Sequence, residues 1–274
     1  GVRRCGARGR MALWAGSHCL PRAFGFTRSA ASPVALVTGS TSGIGEGIAR
    51  RLVRDGYRVV LHSRSSAEAG QTLARELGQA VYVQADLASE AERVRLVQAA
   101  VAAWGRLDAL VNNAGISRVI AHADMAAAVP EIWHELYEVN VVAPFRLVAA
   151  AEPALRAAAA SGKPACVINI SSHAGVRPKG ASIPYAATKA ALNHVTRLQA
   201  LALAPAIRVN AVAPGLVDTP LTADWTQAQA LWRERSPMRR AASPQDIAQA
   251  VSMLLASDYL TGEVLLSDGG LNLT

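Results

Sequence analysis

The stretch TGSTSGIG (residues 38–45) decides how this chain is read. It follows an apolar run, VALV (34–37), and precedes a helix-like stretch, EGIARRLVRDG (46–56). Glycine reaches positive φ without strain, so such a turn has an ordinary structural use. It has a second use when it opens a helix. The free N–H groups of the first helical turn and the helix dipole then form an anion site, and glycine lets the anion approach the backbone. Glycine spacing alone does not choose between the two, and the surroundings must.

Working outward, β-branched runs recur at VALVT (34–38), RVVLH (58–62), AVYVQ (80–84), DALVNN (108–113), ACVINIS (165–171), IRVNAVAP (207–214) and EVLLSD (263–268). Helical patterns separate them. Parallel strands need long crossovers, and helical crossovers cover both faces of the sheet. The pattern predicts an α/β fold: a single Rossmann-type doubly wound domain over residues 34–274 with a seven-stranded parallel sheet. No linker rich in Pro, Gly or Ser divides it. Ala-rich runs such as AAAEPALRAAAASG (149–162) suit a helix and its glycine stop. In a strand–turn–helix setting, the expected guest of TGSTSGIG is a dinucleotide pyrophosphate.

The 274 residues, 51% hydrophobic and 18% charged, suffice for a sizeable core. The formal charge of +8 is unevenly placed. Residues 1–33 hold six arginines and no Asp or Glu, which leaves 22 basic and 20 acidic residues in 34–274. The body is nearly balanced, so basicity is no footprint of nucleic acid. The leader has the composition of a mitochondrial transit peptide, or of translated upstream sequence with Met11 as the natural start. It is expected to be disordered or foreign to the fold. Cys5, Cys19 and Cys166 make no metal-ligand spacing, and Cys166 reads as a buried thiol in a strand. A reducing compartment follows, cytoplasmic unless the leader is a native mitochondrial signal. No run approaches the roughly 20 apolar residues that a membrane span needs.

The spacing of Gly39, Gly43 and Gly45 has the form TGxxxGxG and departs from G-x-G-x-x-G. Here the chain resembles the short-chain dehydrogenase/reductase family, in the manner of its 3-oxoacyl-[acyl-carrier-protein] reductases, over residues 34–270. The resemblance implies that Gly39, Ser40, Thr41, Ser42, Gly43, Ile44 and Gly45 hold a nicotinamide dinucleotide. In the family, an acidic residue at the end of the second strand favours NAD. This chain has LHSRSS, with Ser63 at that place, Arg64 beside it and Ser65 next. A guanidinium takes a 2′-phosphate bidentately and no carboxylate opposes it, so NADP(H) is the expected cofactor. The preference rests on one arginine, because Ser42 stands where many such members carry a basic residue. By the same resemblance, Asp86 and Leu87 border the adenine. Asn113, Ala114 and Gly115 of NNAG adjoin the adenosine and ribose, and Pro214, Gly215, Val217 and Thr219 of AVAPGLVDT border the nicotinamide.

Tyr185 and Lys189, in SIPYAATKAALNHVT, are four apart in a helix-forming run and so share one face. A nearby ammonium favours the phenolate, which would lower the tyrosine pKa toward neutrality. YxxxK alone is common. The resemblance adds Ser172, thirteen residues before Tyr185, as the catalytic serine, and Asn140 of EVNVVAPF as the asparagine that holds a water in a proton relay. It implies direct hydride transfer to a carbonyl, or from the corresponding alcohol, with Ser172 polarising the oxygen, Tyr185 as acid or base, and Lys189 on the nicotinamide ribose.

Substrate choice is expected in residues 116–123, 173–183 and 216–242. In the last, Trp225 and Leu231 are candidate pocket liners, and Arg233, Arg235, Arg239 and Arg240 are either an acidic-substrate patch or a solvated face. Nothing in these segments selects one carbonyl class. Other readings are a non-catalytic NADP(H) sensor or scaffold, an NAD-dependent alcohol dehydrogenase, and a sugar-nucleotide epimerase or dehydratase. The intact Ser–Tyr–Lys set opposes the first, and the short stretch after Gly215 leaves little room for the last. The resemblance also implies a homotetramer, pairing the helices that carry Asn140 and Tyr185. No nucleic acid, membrane or metal partner is expected.

Overall fold

The computed structural model describes Gly1 and Ser32–Thr274, and the expected basic leader lies almost wholly outside the described residues. From Ser32 onward the chain is one compact unit. Its strands are β1 (Val34–Val37), β2 (Arg58–Ser63), β3 (Ala80–Gln84), β4 (Ala109–Asn112), β5 (Ala165–Ile170), β6 (Ile207–Pro214) and β7 (Val264–Ser267). Each expected strand is present, with ends shifted by at most one residue. The connecting helices are α1 (Gly43–Arg54), α2 (Ala67–Leu77), α3 (Glu90–Trp104), α4 (Pro130–Tyr137), α5 (Ala143–Ala159), α6 (Ile183–Leu203), α7 (Thr226–Arg235) and α8 (Pro244–Ala256). Among the described residues, no helix is long and apolar enough to cross a membrane.

The strands form one parallel sheet in the order β3-β2-β1-β4-β5-β6-β7. The chain winds outward from β1 to β3, then returns to place β4 on the other side of β1. That reversal opens a crevice beyond the carboxyl ends of β1 and β4, where ligands bind in sheets of this kind.

Alternation along each strand builds a core on both faces. Val34 and Leu36 pack with Leu96 of α3 and Leu147 of α5, while Ala35 and Val37 pack with Ile48 of α1 and Val251 of α8. Both sets are fully buried, which is why these strands read as unbroken apolar runs.

Two buried polar arrangements set the elements around the crevice. Asn112 of β4 donates to Asn169 of β5 at 2.9 Å, and Asn169 donates to Thr196 of α6 at 2.9 Å. This chain fixes α6, which carries Tyr185, against the central strands. Arg208 of β6 sends its guanidinium into the carboxyl end of α8, donating to the carbonyls of Leu254 (2.9 Å) and Leu255 (3.1 Å). A cation there suits both the unpaired carbonyls and the helix dipole. Cys166 is buried as expected, and desolvation pushes its thiol up to about 11.

Candidate active site

The cleft at the switch point has a volume of about 380 Å³ and is floored by the glycine turn after β1. Gly39 and Gly43 adopt φ of 61° and 54°, which L side chains avoid. Gly45 answers to proximity instead. A Cβ there would lie 2.1 Å from the Gly39 carbonyl oxygen and 2.5 Å from the Asn113 amide nitrogen. The helix start is thus pressed against the turn and against the segment after β4. Ser42 precedes α1 without a side-chain cap, which leaves the first-turn N–H groups beside the cleft without a side-chain partner from it.

The NNAG segment braces that turn. Asn113 donates from its amide to the carbonyls of Thr38 and Gly39, each at 2.9 Å, and the Thr38 hydroxyl accepts from the backbone of Asn113 and Ala114, each at 3.0 Å. The far wall comes from Ser63, Arg64 and Ser65 after β2 and from Asp86 and Leu87 after β3. Arg64 is exposed and has no carboxylate partner among the described residues. Leu87 is held from behind by buried Arg93, which donates to its carbonyl at 2.6 Å and pairs with Glu138 at 2.7 Å.

Beside the cleft, Ser172 follows β5 and Tyr185 opens α6. The Ser172 hydroxyl lies beside the Tyr185 phenol and accepts from the backbone of Ala174 at 3.1 Å. The Tyr185 residue is half-buried, but desolvation dominates at its hydroxyl and raises its pKa above 10; the neighbouring Ser172 hydroxyl opposes the rise. Lys189 is buried, its ammonium 5.8 Å from the centre of the Tyr185 ring and donating to the Ile170 carbonyl at 2.9 Å. Burial brings the lysine down to about 8. The cost of burying a phenolate thus sets the direction at Tyr185, against the expected downward pull of Lys189.

Asn140 sits in one turn of π-helix (Glu138–Val142) between α4 and α5, a distortion common at functional sites. Its side chain accepts from the backbone of Ile116 at 2.9 Å and donates to the Ile116 carbonyl at 2.9 Å and to Thr188 at 3.2 Å. It ties the segment after β4 to α6. Gly115 is the joint between the cleft and this group, since a Cβ on it would lie 3.1 Å from the Asn140 oxygen and 3.5 Å from the Lys189 ammonium.

Other expected site residues lie elsewhere. Ser40 is fully buried and does not border the cleft; its hydroxyl accepts from the backbone of His62 at 2.9 Å. Ser63 lines the cleft, but its hydroxyl pairs with Tyr82 at 2.8 Å and accepts from Ser66 at 3.1 Å. Pro214 ends β6, and Val217 is 4% exposed in the core; neither borders the cleft, whereas Thr219 does. Gly215 packs against Trp232 of α7, where a Cβ would lie 2.8 Å from the indole. Trp232 also meets buried His173 edge-on at 6.1 Å. It is thus Trp232, rather than Trp225 or Leu231, that seats α7 beside the site. Arg240 is paired with Asp246, and Arg233 bonds Gln229. His62, Thr38 and Arg93 leave no periodic mark in the sequence, because their roles rest on backbone partners.

A braced glycine turn at a switch point, with a hydroxyl, a phenol and an ammonium gathered beside it, is the layout of a nucleotide-binding oxidoreductase. Comparison with known proteins agrees. A family model described as enoyl-(acyl carrier protein) reductase matches residues 39–272. The chain belongs to the short-chain dehydrogenase/reductase family, whose members use a nicotinamide cofactor. It is 49% identical over 249 residues, 88% of this chain and 97% of the other, to a protein of Streptomyces violaceoruber named for ketoacyl reductase 2 of the granaticin polyketide synthase. Two solved structures each have a TM-score of 0.80. One is the Pseudomonas aeruginosa RhlG protein in an active-site complex with NADP, 35% identical over 87% of this chain and 96% of that one. The other is a 3-ketoacyl-(acyl-carrier-protein) reductase of Brucella melitensis with NADH, 34% identical over 87% of this chain and 98% of that one.

Proposed function

We propose that this chain is an NADP(H)-dependent reductase of a ketone on an acyl or polyketide chain. The observation that carries the reading is the convergence of the Ser172 hydroxyl and the Tyr185 phenol beside the glycine-braced cleft. The cleft suits a dinucleotide: first-turn N–H groups for the diphosphate, glycines where side chains would intrude, and an uncommitted guanidinium, Arg64, for a 2′-phosphate. Bound there, a nicotinamide supplies or accepts the hydride.

The chain's own groups handle the oxygen. Ser172 donates to the substrate carbonyl, and Tyr185 delivers a proton to the same oxygen as negative charge develops. Burial keeps the phenol protonated at neutral pH, which fits the reducing direction. Lys189 would hold the nicotinamide ribose and bias the phenol, while Asn140 ties the segment after β4 to α6 and would lie on a proton route from Lys189.

An apolar substrate chain is supported by the loops after β4, β5 and β6, which expose Val119, Met125, Val176 and Leu221. A homotetramer is supported by apolar side chains exposed along the proposed pairing helices: Tyr137, Val142 and Phe145 near Asn140, and Leu198 and Leu201 on α6. A light-scattering mass of four chains checks it.

The test is a panel of 3-oxoacyl thioesters, cyclic ketones and enoyl thioesters, each with NADPH and with NADH, followed by loss of reduced-nicotinamide absorbance. Turnover of ketones with NADPH is expected; turnover of enoyl thioesters alone would contradict the proposal. Arg64→Asp is expected to lower the ratio of NADPH to NADH efficiency by at least about tenfold, and an unchanged ratio would remove the cofactor assignment.

A further inference from the structure

His62 lies at the end of β2 with 2% of its surface exposed, and it joins three segments around the cleft. Its Nδ1 accepts from the backbone N–H of Gly39 at 3.1 Å, and its Nε2 donates to the Ala85 carbonyl at 3.0 Å. Its backbone exchanges two further bonds with Ser40, each 2.9 Å: the Ser40 hydroxyl accepts from the His62 N–H, and the Ser40 N–H donates to the His62 carbonyl. The partners fix the tautomer, because a backbone N–H can only donate and a carbonyl can only accept. The ring must be neutral, with its proton on Nε2.

We infer that His62 is a positioning residue for the cofactor: its neutral imidazole sets the glycine turn at Gly39, so protonation of the ring weakens dinucleotide binding. The inference rests on the cofactor site proposed above. In the neutral form Nδ1 receives the Gly39 N–H and holds that residue at its φ of 61°. Protonation turns Nδ1 into a donor facing another donor, and the pair cannot persist at that distance. Gly39 carries the turn that Asn113 and Gly45 pack against, so a shift there reaches the floor of the cleft.

The ring's setting favours the neutral state. Burial lowers the His62 pKa below 6.5, opposed by the hydrogen bond to Ala85 and by the carboxylate of Asp86 just beyond β3. Asp86 is the charged group whose field reaches the ring, and the turn itself presents only Thr38, Gly39 and Ser40. The pKa is depressed, so the bond to Gly39 is intact at neutral pH and is lost as pH falls through the folded value, below the ordinary histidine range.

Two variants separate the ring's bonds. His62→Asn places an amide oxygen near the position of Nδ1, so it accepts from Gly39 and does not titrate. His62→Gln places a donor near Nε2 for Ala85 and gives up the bond to Gly39. The measurement is the dissociation constant of NADPH, and separately of NADH, by fluorescence titration, with thermal melting without cofactor in the same buffers. Wild type is expected to lose severalfold in affinity between neutral pH and about pH 4.5 beyond any loss in His62→Asn. The asparagine variant should show a flatter pH dependence than wild type whatever its affinity at neutral pH, and His62→Gln should bind about tenfold more weakly than wild type. Titration of the 2′-phosphate is common to all three proteins and absent with NADH. Identical pH profiles for wild type and His62→Asn would overturn the role of His62, even should His62→Gln fail to fold. Failure of wild type to bind either nucleotide at any pH would instead overturn the cofactor site itself.

Discussion

Lys189 carries its ammonium into a place where only 5% of the residue is exposed, and desolvation brings its pKa from 10.5 down to about 8. The unfolded chain keeps that proton up to pH 10.5, so between the two values the unfolded state binds more protons than the folded one. The cost of the buried charge is therefore full below pH 8 and is relieved as pH rises toward 10.5. Lys189→Met should lose most activity without losing stability at neutral pH. Wild type should then gain up to about 3 kcal/mol relative to the variant across that window, read by urea denaturation. A constant difference would mean that Lys189 is not desolvated as described. That Ser172, Tyr185 and Lys189 lie together was legible in the sequence, because helical spacing carries the last two and the family resemblance adds the first. The direction of the tyrosine shift was not, since spacing reports proximity to an ammonium and is silent on burial.

At the scale of elements, α1 docks on the turn that precedes it through the missing side chain of Gly45. Gly45→Ala would force a methyl group into the Gly39 carbonyl and the Asn113 amide at once. It should cost about 3 kcal/mol or more in urea unfolding and abolish cofactor binding; a variant that folds and binds like wild type would show that the turn yields freely. The sequence marked Gly45 as part of a cofactor loop, but the contact that forbids a side chain is with the protein's own backbone. Strands were readable to within a residue because their alternate positions are buried on both faces. The π-turn at Asn140 was not, because one extra residue in a helical repeat leaves the apolar pattern of EVNVVAPF unchanged. Nor was the seat of α7: DWTQAQALWRERSPMRR offers two tryptophans, and only the fold decides that Trp232 faces His173 and Gly215.

For the whole molecule, the parallel sheet brings together residues far apart in the chain. β1 supplies the glycine turn, β4 its brace, β5 Ser172, and the next helix the phenol and ammonium, all at the carboxyl edge beside the switch point. The two-faced core packs beneath that edge, and the loops lie beyond it. In the proposed reaction the Tyr185 phenol gives its proton to a carbonyl oxygen held by Ser172. The most direct measurement is single-turnover oxidation of NADPH by Tyr185→Phe with a 3-oxoacyl thioester that wild type reduces, alongside the NADPH dissociation constant of the variant. Unchanged binding and a rate about a thousandfold lower are expected; a rate within a fewfold of wild type would show that the proton comes from elsewhere.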